Sequence, residues 1–255
     1  MSAMNIPDMV KIVRYHGLTP VPLDLDFKTM NVKLDEMRDY LEKTKDKANR
    51  PRVLIMAWVF GSYCDPEELY TLCKQYNVFI VEDMAETFFD INYNGSPMAD
   101  ISIFSFGTIK LNTSLGGALS VLRGDESLYR RMKGIYESYS YLSTSFFLKR
   151  WIKVIPVMLA LNNTFINGYG REIVAKFGIE YKEKVVGLVR GFHPNEDFLS
   201  TFRKKLPTSM LAFLYYRLKG YDKEAFDQGT KRQETGKNFL VEKGVAVPGS
   251  HADYK

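Results

Sequence analysis

The chain has 255 residues, of which 45% are hydrophobic and 25% are charged. These fractions are typical of a globular protein and exclude the disordered, collagen-like and fibrous classes. The net charge of +5 arises without any tract rich in Lys and Arg, so no nucleic-acid partner is predicted.

The first 125 residues alternate between strand-like and helix-like segments. A short strand that ends in acidic residues is predicted over 20–26, and amphipathic spacing predicts a helix over 32–47. Asp65 and Pro66 begin a second helix that runs towards Asn77. Apolar runs predict further strands over 52–59, 78–81, 101–106 and 118–122. Because strands alternate with helices, we expect an α/β fold with a mostly parallel sheet flanked by helices.

After residue 125 the pattern becomes mainly helical. Helices are predicted over 128–141, 146–165 and 207–218, and a loop is predicted over 187–198. We therefore place a domain boundary near residue 125. It separates an α/β portion over 1–125 from a helical C-terminal portion over 126–255.

The most apolar stretch of the chain runs from Trp151 to Leu161. It is too short to span a bilayer, and it contains Lys153 and Pro156, so a buried or interfacial helix fits it better. We expect no membrane contact, although the basic flank formed by Lys149, Arg150 and Lys153 leaves peripheral contact open.

The two cysteines indicate the compartment and exclude one kind of site. Cys64 and Cys73 lie nine residues apart, and no histidine stands near them at a metal-binding spacing. We therefore predict no disulfide, no metal site and a reducing, cytoplasmic location.

Three polar residues stand at or just after predicted strand ends, where ligands bind to open parallel sheets. Asp83 ends one strand, Ser105 ends the next, and Lys110 follows in the loop before Gly116. A deprotonated lysine is a nucleophilic amine, a carboxylate can hold a proton on a pyridinium nitrogen, and a hydroxyl can bind phosphate. Taken singly, each residue also fits an ordinary role as a turn residue, a surface charge or a satisfied hydroxyl.

Taken together, the segments that carry these residues resemble one enzyme family. VFIVEDMAETF, SIFSFGTIK and SLGGALSVL resemble the DegT/DnrJ/EryC1/StrS family of pyridoxal phosphate-dependent sugar aminotransferases. RVLIMAWVFGSYCDPEELYTLCKQYN and MVKIVRYHGLTPVPLDLD resemble the family's upstream segments. The resemblance runs from about Ile6 to Leu122 and is looser in the C-terminal portion.

The resemblance implies a fold, a cofactor and a set of roles. The fold would be part of the fold-type-I large domain, followed by a partial small domain. Lys110 would form the internal aldimine with pyridoxal phosphate and then move a proton, while Asp83 would pair with the ring nitrogen. Ser105 would bind the phosphate, and Glu86 would contact the phenolic oxygen. The substrates would be a keto sugar, often nucleotide-linked, and an amino acid such as glutamate, used by a homodimer with shared active sites.

The chain departs from the family pattern in two places, and two alternatives follow. Leu115 stands where the family commonly has an acidic residue. The family also has a further N-terminal region, so we expect this chain to begin inside the large domain, as an N-terminally truncated member. A truncated, non-catalytic paralogue that keeps the fold is therefore one alternative. A sugar dehydratase of the same family is the other, but those relatives have histidine in place of the lysine, so Lys110 argues against it.

Overall fold

The computed structural model describes residues 1–88, 90–110, 112–162, 200, 202–250 and 253–254. Its contacts divide the chain into two compact units. The first comprises 1–105, 118–125 and 221–255, and the second comprises 106–117 and 126–220. The boundary predicted near residue 125 coincides with one of the points where the chain passes from one unit to the other. The division into an α/β domain over 1–125 and a helical domain over 126–255 stays a prediction. The loop predicted over 187–198 lies outside the described residues.

The described residues form both helices and strands, in the following order along the chain. The helices are α1 (Pro7–Tyr15), α2 (Leu34–Thr44), α3 (Glu67–Gln75), α4 (Glu126–Ser138), α5 (Thr144–Asn162), α6 (Thr208–Lys219) and α7 (Lys223–Glu242). The strands are β1 (Val53–Ala57), β2 (Ser62–Tyr63), β3 (Phe79–Asp83), β4 (Ile101–Ser105), β5 (Ala118–Leu122), β6 (Ser140–Tyr141), β7 (Lys204–Lys205) and β8 (Asp253–Tyr254). Within the described residues, no helix combines the length and the hydropathy that a membrane span requires.

A four-stranded sheet in the order β1-β3-β4-β5 forms the centre of the first unit. β1, β3 and β4 are parallel, with Ala57 opposite Asp83 and Asp83 opposite Ile103. β5 runs antiparallel to β4, with Ala118 opposite Ser105. The expected α/β fold with a mostly parallel sheet flanked by helices is therefore confirmed.

The sheet is stabilised by buried apolar side chains, with α3 packed against β3 and α2 packed against α3. Met56 of β1 and Ile80 of β3 are completely buried, and Met37 and Leu41 form the buried side of α2. Burying one such side chain contributes about 1.5–3 kcal/mol to the free energy of unfolding. The core of the first unit therefore includes β3, the strand that ends at Asp83.

Local sequence signals explain where α3 begins. The Asp65 carboxylate accepts a hydrogen bond from the Glu67 backbone N–H at 3.1 Å, and Pro66 precedes the first turn. Glu67 and Glu68 in that turn interact favourably with the positive end of the helix dipole. The helix predicted from Asp65 is thus present over a slightly shorter range.

The strand predicted over 20–26 is wrong as a regular strand. Its residues form only isolated bridges, Ser2 with Leu23 and Leu25 with Val32. The Asp26 carboxylate accepts hydrogen bonds from the backbone N–H groups of Lys28 and Thr29, which closes a turn directly after the segment.

The cysteines lie in different environments within the first unit. Cys64 is half-buried and Cys73 is buried, and burial raises the pKa of the Cys73 thiol to about 12. Only the thiolate form reacts with disulfide reagents, so native protein near pH 8 is expected to react rapidly at Cys64 and not at Cys73. Titration with Ellman's reagent, before and after denaturation, measures this. Rapid reaction of the native Cys64→Ser variant would contradict the burial of Cys73.

The second unit has its own small core. Leu115, Phe147, Val154 and Met210 are buried together, and they come from the 106–117 segment, α5 and α6. The helices predicted over 128–141, 146–165 and 207–218 correspond to α4, α5 and α6. For α5, the range after Asn162 lies outside the described residues.

Candidate active site

Two of the predicted site residues end neighbouring strands at the same edge of the first unit's sheet. Asp83 is the last residue of β3 and Ser105 is the last residue of β4, and both side chains are half-buried. Since Asp83 is opposite Ile103, Ser105 extends two residues further, about 7 Å along the strand direction. The structure therefore brings a carboxylate and a hydroxyl to the edge where ligands of open parallel sheets bind.

Backbone hydrogen bonds fix the position of Asp83. Its carbonyl oxygen accepts the Trp58 N–H at 3.0 Å, and the next residue, Met84, donates its N–H to the Ile103 carbonyl at 2.9 Å. The Asp83 Oδ1 atom accepts the Ala85 N–H at 3.0 Å. The carboxylate is therefore held by its own turn at the strand end.

Glu86 lies in the turn that follows β3, with an exposed side chain. Its Oε2 atom accepts the Phe60 backbone N–H at 3.0 Å, in the loop that follows β1. Phe60 has a φ of 61°, in the left-handed region. The Glu86 carboxylate thus joins the loops that follow two adjacent strands, and its contact with a cofactor stays a prediction.

A buried carboxylate next to Asp83 was not singled out by sequence analysis. Glu82 is completely buried, because successive residues of a strand point to opposite faces of the sheet. Its Oε1 atom accepts hydrogen bonds from the indole N–H of Trp58 at 3.3 Å and from the hydroxyl of Tyr70 at 3.0 Å. Burial raises the pKa of Tyr70 well above its usual value, so this hydroxyl stays protonated and donates.

The second carboxylate oxygen of Glu82 accepts two further hydrogen bonds from other segments. Oε2 accepts the Ser96 backbone N–H at 2.9 Å and the Ser102 hydroxyl at 2.6 Å. Ser102 in turn accepts a hydrogen bond from Arg123 Nη1 at 3.0 Å, which brings a positive charge to the network. The sequence signal for the buried Glu82 was the Glu-Asp pair itself. When two acidic residues end a buried strand, their side chains point to opposite faces of the sheet, so one of them faces the core.

Lys110 belongs to the second unit, in the 106–117 segment. Its backbone N–H donates to the Gly107 carbonyl at 3.0 Å, which closes a turn, and its side chain is half-buried. The base of the segment is closed where the Phe106 carbonyl accepts the Gly116 N–H at 3.0 Å and the Phe106 N–H donates to Gly117. The segment is therefore a closed loop that carries Lys110 between its two ends.

A residue of the C-terminal portion holds this loop. Arg217 of α6 donates from Nε to the Thr113 carbonyl at 3.2 Å and from Nη2 to Asn112 Oδ1 at 3.2 Å. This contact was not predicted from the sequence, because the two segments lie about a hundred residues apart and no local pattern links them.

The departure from the family pattern at Leu115 has a structural reason. Leu115 is 4% exposed and packs in the second unit's core, where an ionised side chain would lose its hydration. The neighbouring Gly117 has a φ of 90°, and a Cβ atom there would lie 3.1 Å from Leu206 Cδ1. The loop thus requires an apolar side chain at 115 and no side chain at 117.

The family of the chain follows from its sequence over these same segments. A model of the DegT/DnrJ/EryC1/StrS aminotransferase family matches residues 1–144, which include Asp83, Glu86, Ser105 and Lys110. The chain belongs to this family. The family is an aminotransferase family that uses pyridoxal phosphate.

The similar proteins share only part of their length with this chain. A GDP-perosamine synthase of Escherichia coli O157:H7 is 31% identical over 126 residues, which cover 48% of this chain and 32% of that protein. A dTDP-3-amino-3,6-dideoxy-alpha-D-galactopyranose transaminase of Aneurinibacillus thermoaerophilus is 28% identical over 120 residues, 46% of this chain and 31% of that protein. The chain thus spans about a third of the length of the curated relatives it matches.

A solved structure gives a similar picture of partial coverage. The crystal structure of a DegT DnrJ EryC1 StrS aminotransferase from Brucella abortus superposes with a TM-score of 0.45 at 17% sequence identity. The superposition covers 53% of this chain and 37% of that chain.

Proposed function

We propose that the chain binds pyridoxal phosphate and transfers an amino group from an amino acid donor, such as glutamate, to a keto sugar linked to a nucleotide. The observation that carries the proposal is the pair of strand ends, with Asp83 and Ser105 on adjacent parallel strands at the ligand-binding edge of the sheet. The nucleotide sugar is supported by the name of the transaminase of Aneurinibacillus thermoaerophilus. Membership of the family supports the reaction type.

The polar groups present fit the chemistry of pyridoxal phosphate. A half-buried carboxylate suits the ring nitrogen, a strand-end hydroxyl suits the phosphate, and a lysine amine suits the aldehyde carbon. When bound, pyridoxal phosphate supplies an electron-poor ring that takes up the charge left when a proton leaves the substrate carbon.

Each residue has one proposed role. Lys110 would hold the cofactor through Nζ and, as a free amine, would carry the proton of the substrate carbon. Asp83 keeps a proton on the ring nitrogen through its negative charge. Ser105 donates its hydroxyl to the phosphate. Glu86, whose Oε2 atom is bonded to Phe60, contacts the phenolic oxygen through its remaining acceptor capacity.

The assembly and location follow from the same proposal. We propose a homodimer in the cytoplasm, because family members complete each active site with residues of the second subunit. A non-catalytic protein that keeps the fold stays the alternative function, and the labelling experiment below separates the two.

Reductive labelling of the full chain tests the proposal. Protein incubated with pyridoxal phosphate and then reduced with borohydride is expected to carry one pyridoxyl group, on Lys110, as mapped by mass spectrometry of its peptides. Incubation with L-glutamate before reduction should remove the label, because the donor amine displaces Lys110. The Lys110→Ala variant should stay unlabelled, whereas the matched Lys28→Ala variant should be labelled normally.

Two results would contradict the proposal. A label on another lysine in the native chain would refute the role of Lys110. A label on Lys110 that glutamate leaves unchanged would support the non-catalytic alternative, because the cofactor would then be bound without reacting with a donor.

A further inference from the structure

Charge is distributed unequally between the two units. The second unit contains 17 Lys and Arg against 7 Asp and Glu, a net charge of +10, whereas the whole chain has a net charge of +5. The first unit therefore has a net charge of −5. A strongly basic unit attracts polyanionic partners.

Helix α5 has an apolar surface that faces solvent. Leu148, Ile152 and Leu159 are 59%, 67% and 66% exposed. Their spacing of four and seven residues places them on one side of the helix, and we call them the apolar ridge. The opposite side is anchored, since Phe147 and Val154 of the same helix are buried in the second unit's core. The orientation that exposes the ridge is therefore set by packing.

Cations flank the apolar ridge. Lys149 and Lys153 follow Leu148 and Ile152 by one residue each, and both lysines are exposed. α5 contains no Asp or Glu over its whole length. Long lysine side chains beside an apolar stripe can extend their amines to anionic groups while the stripe enters a less polar layer.

We propose that α5 lies on the surface of an anionic lipid bilayer, with the apolar ridge in the boundary between headgroups and acyl chains. Lys149 and Lys153 bind lipid phosphates, and the +10 charge of the unit adds long-range attraction. The contact is peripheral, in keeping with the absence of a membrane-spanning helix from the described residues. The sequence predicted no membrane contact, with peripheral contact through the basic flank as the alternative. The proposal adopts this alternative.

Other occupants of the ridge fit the charges less well. In a symmetric pairing of two α5 helices, lysines of one copy would face lysines of the other, and α5 has no carboxylate to pair with them. A nucleic acid would pair with the lysines but would leave the three apolar side chains of the ridge against phosphates and water. An anionic bilayer satisfies both the charges and the apolar surface.

Vesicle binding by the full chain tests the proposal. In a flotation assay, the protein is expected to bind vesicles of phosphatidylcholine with about one third phosphatidylserine and not vesicles of phosphatidylcholine alone. The Leu148→Ser, Ile152→Ser double variant should bind at least about tenfold more weakly, since both side chains leave the acyl boundary. The Lys149→Gln, Lys153→Gln variant should lose a similar factor, because each lysine near an anionic surface contributes severalfold to the affinity.

Matched variants in the first unit control for general effects. Lys28→Gln with Lys47→Gln removes the same charge, and Leu240→Ser with Val241→Ser removes similar exposed apolar surface. Both controls should bind vesicles as the native chain does, and circular dichroism should show equal helix content in all variants.

Four results would overturn the proposal. The first is that the native chain does not bind vesicles, and the second is that the Leu148→Ser, Ile152→Ser variant binds them as the native chain does. The third is that duplex DNA displaces the protein from vesicles and that DNA binding is lost only in the lysine variant. The fourth is that the Leu148→Ser, Ile152→Ser variant has a different oligomeric state in sedimentation. The third would assign the unit to a nucleic acid, and the fourth would assign the ridge to a second copy.

Discussion

Asp83→Asn is expected to lower the rate of amino-group transfer by about 10²–10³-fold, the usual cost of removing one preorganised electrostatic group from an active site. The amide has the same shape and keeps an oxygen for the Ala85 N–H that Asp83 Oδ1 accepts at 3.0 Å. It has no negative charge, so the ring nitrogen loses the group that holds its proton. Stopped-flow measurement of the reaction between the cofactor-loaded protein and L-glutamate gives the rate directly.

The control separates the charge of Asp83 from the fold around it. Borohydride labelling of Lys110 should be unchanged in Asp83→Asn, because covalent attachment needs the amine and not the carboxylate. The matched Asp65→Asn variant, at the start of α3, should react at the native rate. A native rate in Asp83→Asn would refute the proposed partner of the ring nitrogen.

Glu82→Ala is expected to lower the free energy of unfolding by at least about 3 kcal/mol. The variant removes the acceptor of four hydrogen bonds, from Trp58, Tyr70, Ser96 and Ser102, in a place where water does not replace it. Each donor left unpaired in the interior costs about 1–3 kcal/mol, and the four are coupled through one carboxylate. Urea denaturation followed by tryptophan fluorescence measures the change.

Neighbouring variants show whether the network is responsible. Gly95→Ala should be destabilised as well, because a Cβ atom there would lie 2.0 Å from Ser102 Oγ and 2.7 Å from Glu82 Oε2, at a φ of 91°. Glu86→Ala removes an exposed carboxylate that accepts the Phe60 backbone N–H and should cost no more than about 1 kcal/mol. Equal destabilisation by Glu82→Ala and Glu86→Ala would be inconsistent with the network.

The Glu82 network also bears on the proposed chemistry. It connects β3 to β4 through Ser102 and to α3 through Tyr70, one residue before the carboxylate that we assign to the ring nitrogen. Because the hydrogen bonds of Glu82 fix the end of β3 on the buried face of the sheet, the Asp83 side chain on the opposite face is held in a single position. Precise placement of charge of this kind is what electrostatic catalysis requires.

Local sequence patterns predicted some elements of the fold and missed others. The apolar runs predicted β1, β3 and β4, because strands that are largely covered on both faces are rich in apolar residues. β5 was predicted from the same kind of run, although none of its residues is buried. α7 was not predicted, and it has no buried residue among those described, so the periodic apolar pattern that marks a helix is weak in it. β8 pairs with β2 across about 190 residues, a contact that no local pattern contains.

For the candidate site, the order of residues along the chain already placed Asp83 and Ser105 at one edge, since parallel neighbours end on the same side of a sheet. Folding alone decided that Glu82 would be satisfied by four donors from separate segments and that Arg217 would hold the loop of Lys110. It also decided which side of α5 faces solvent, because that depends on the apolar side chains that α6 and the 106–117 segment contribute to the core. Residue types and their periods determine local elements, whereas the partners of buried polar groups depend on distant segments that meet only in the folded chain.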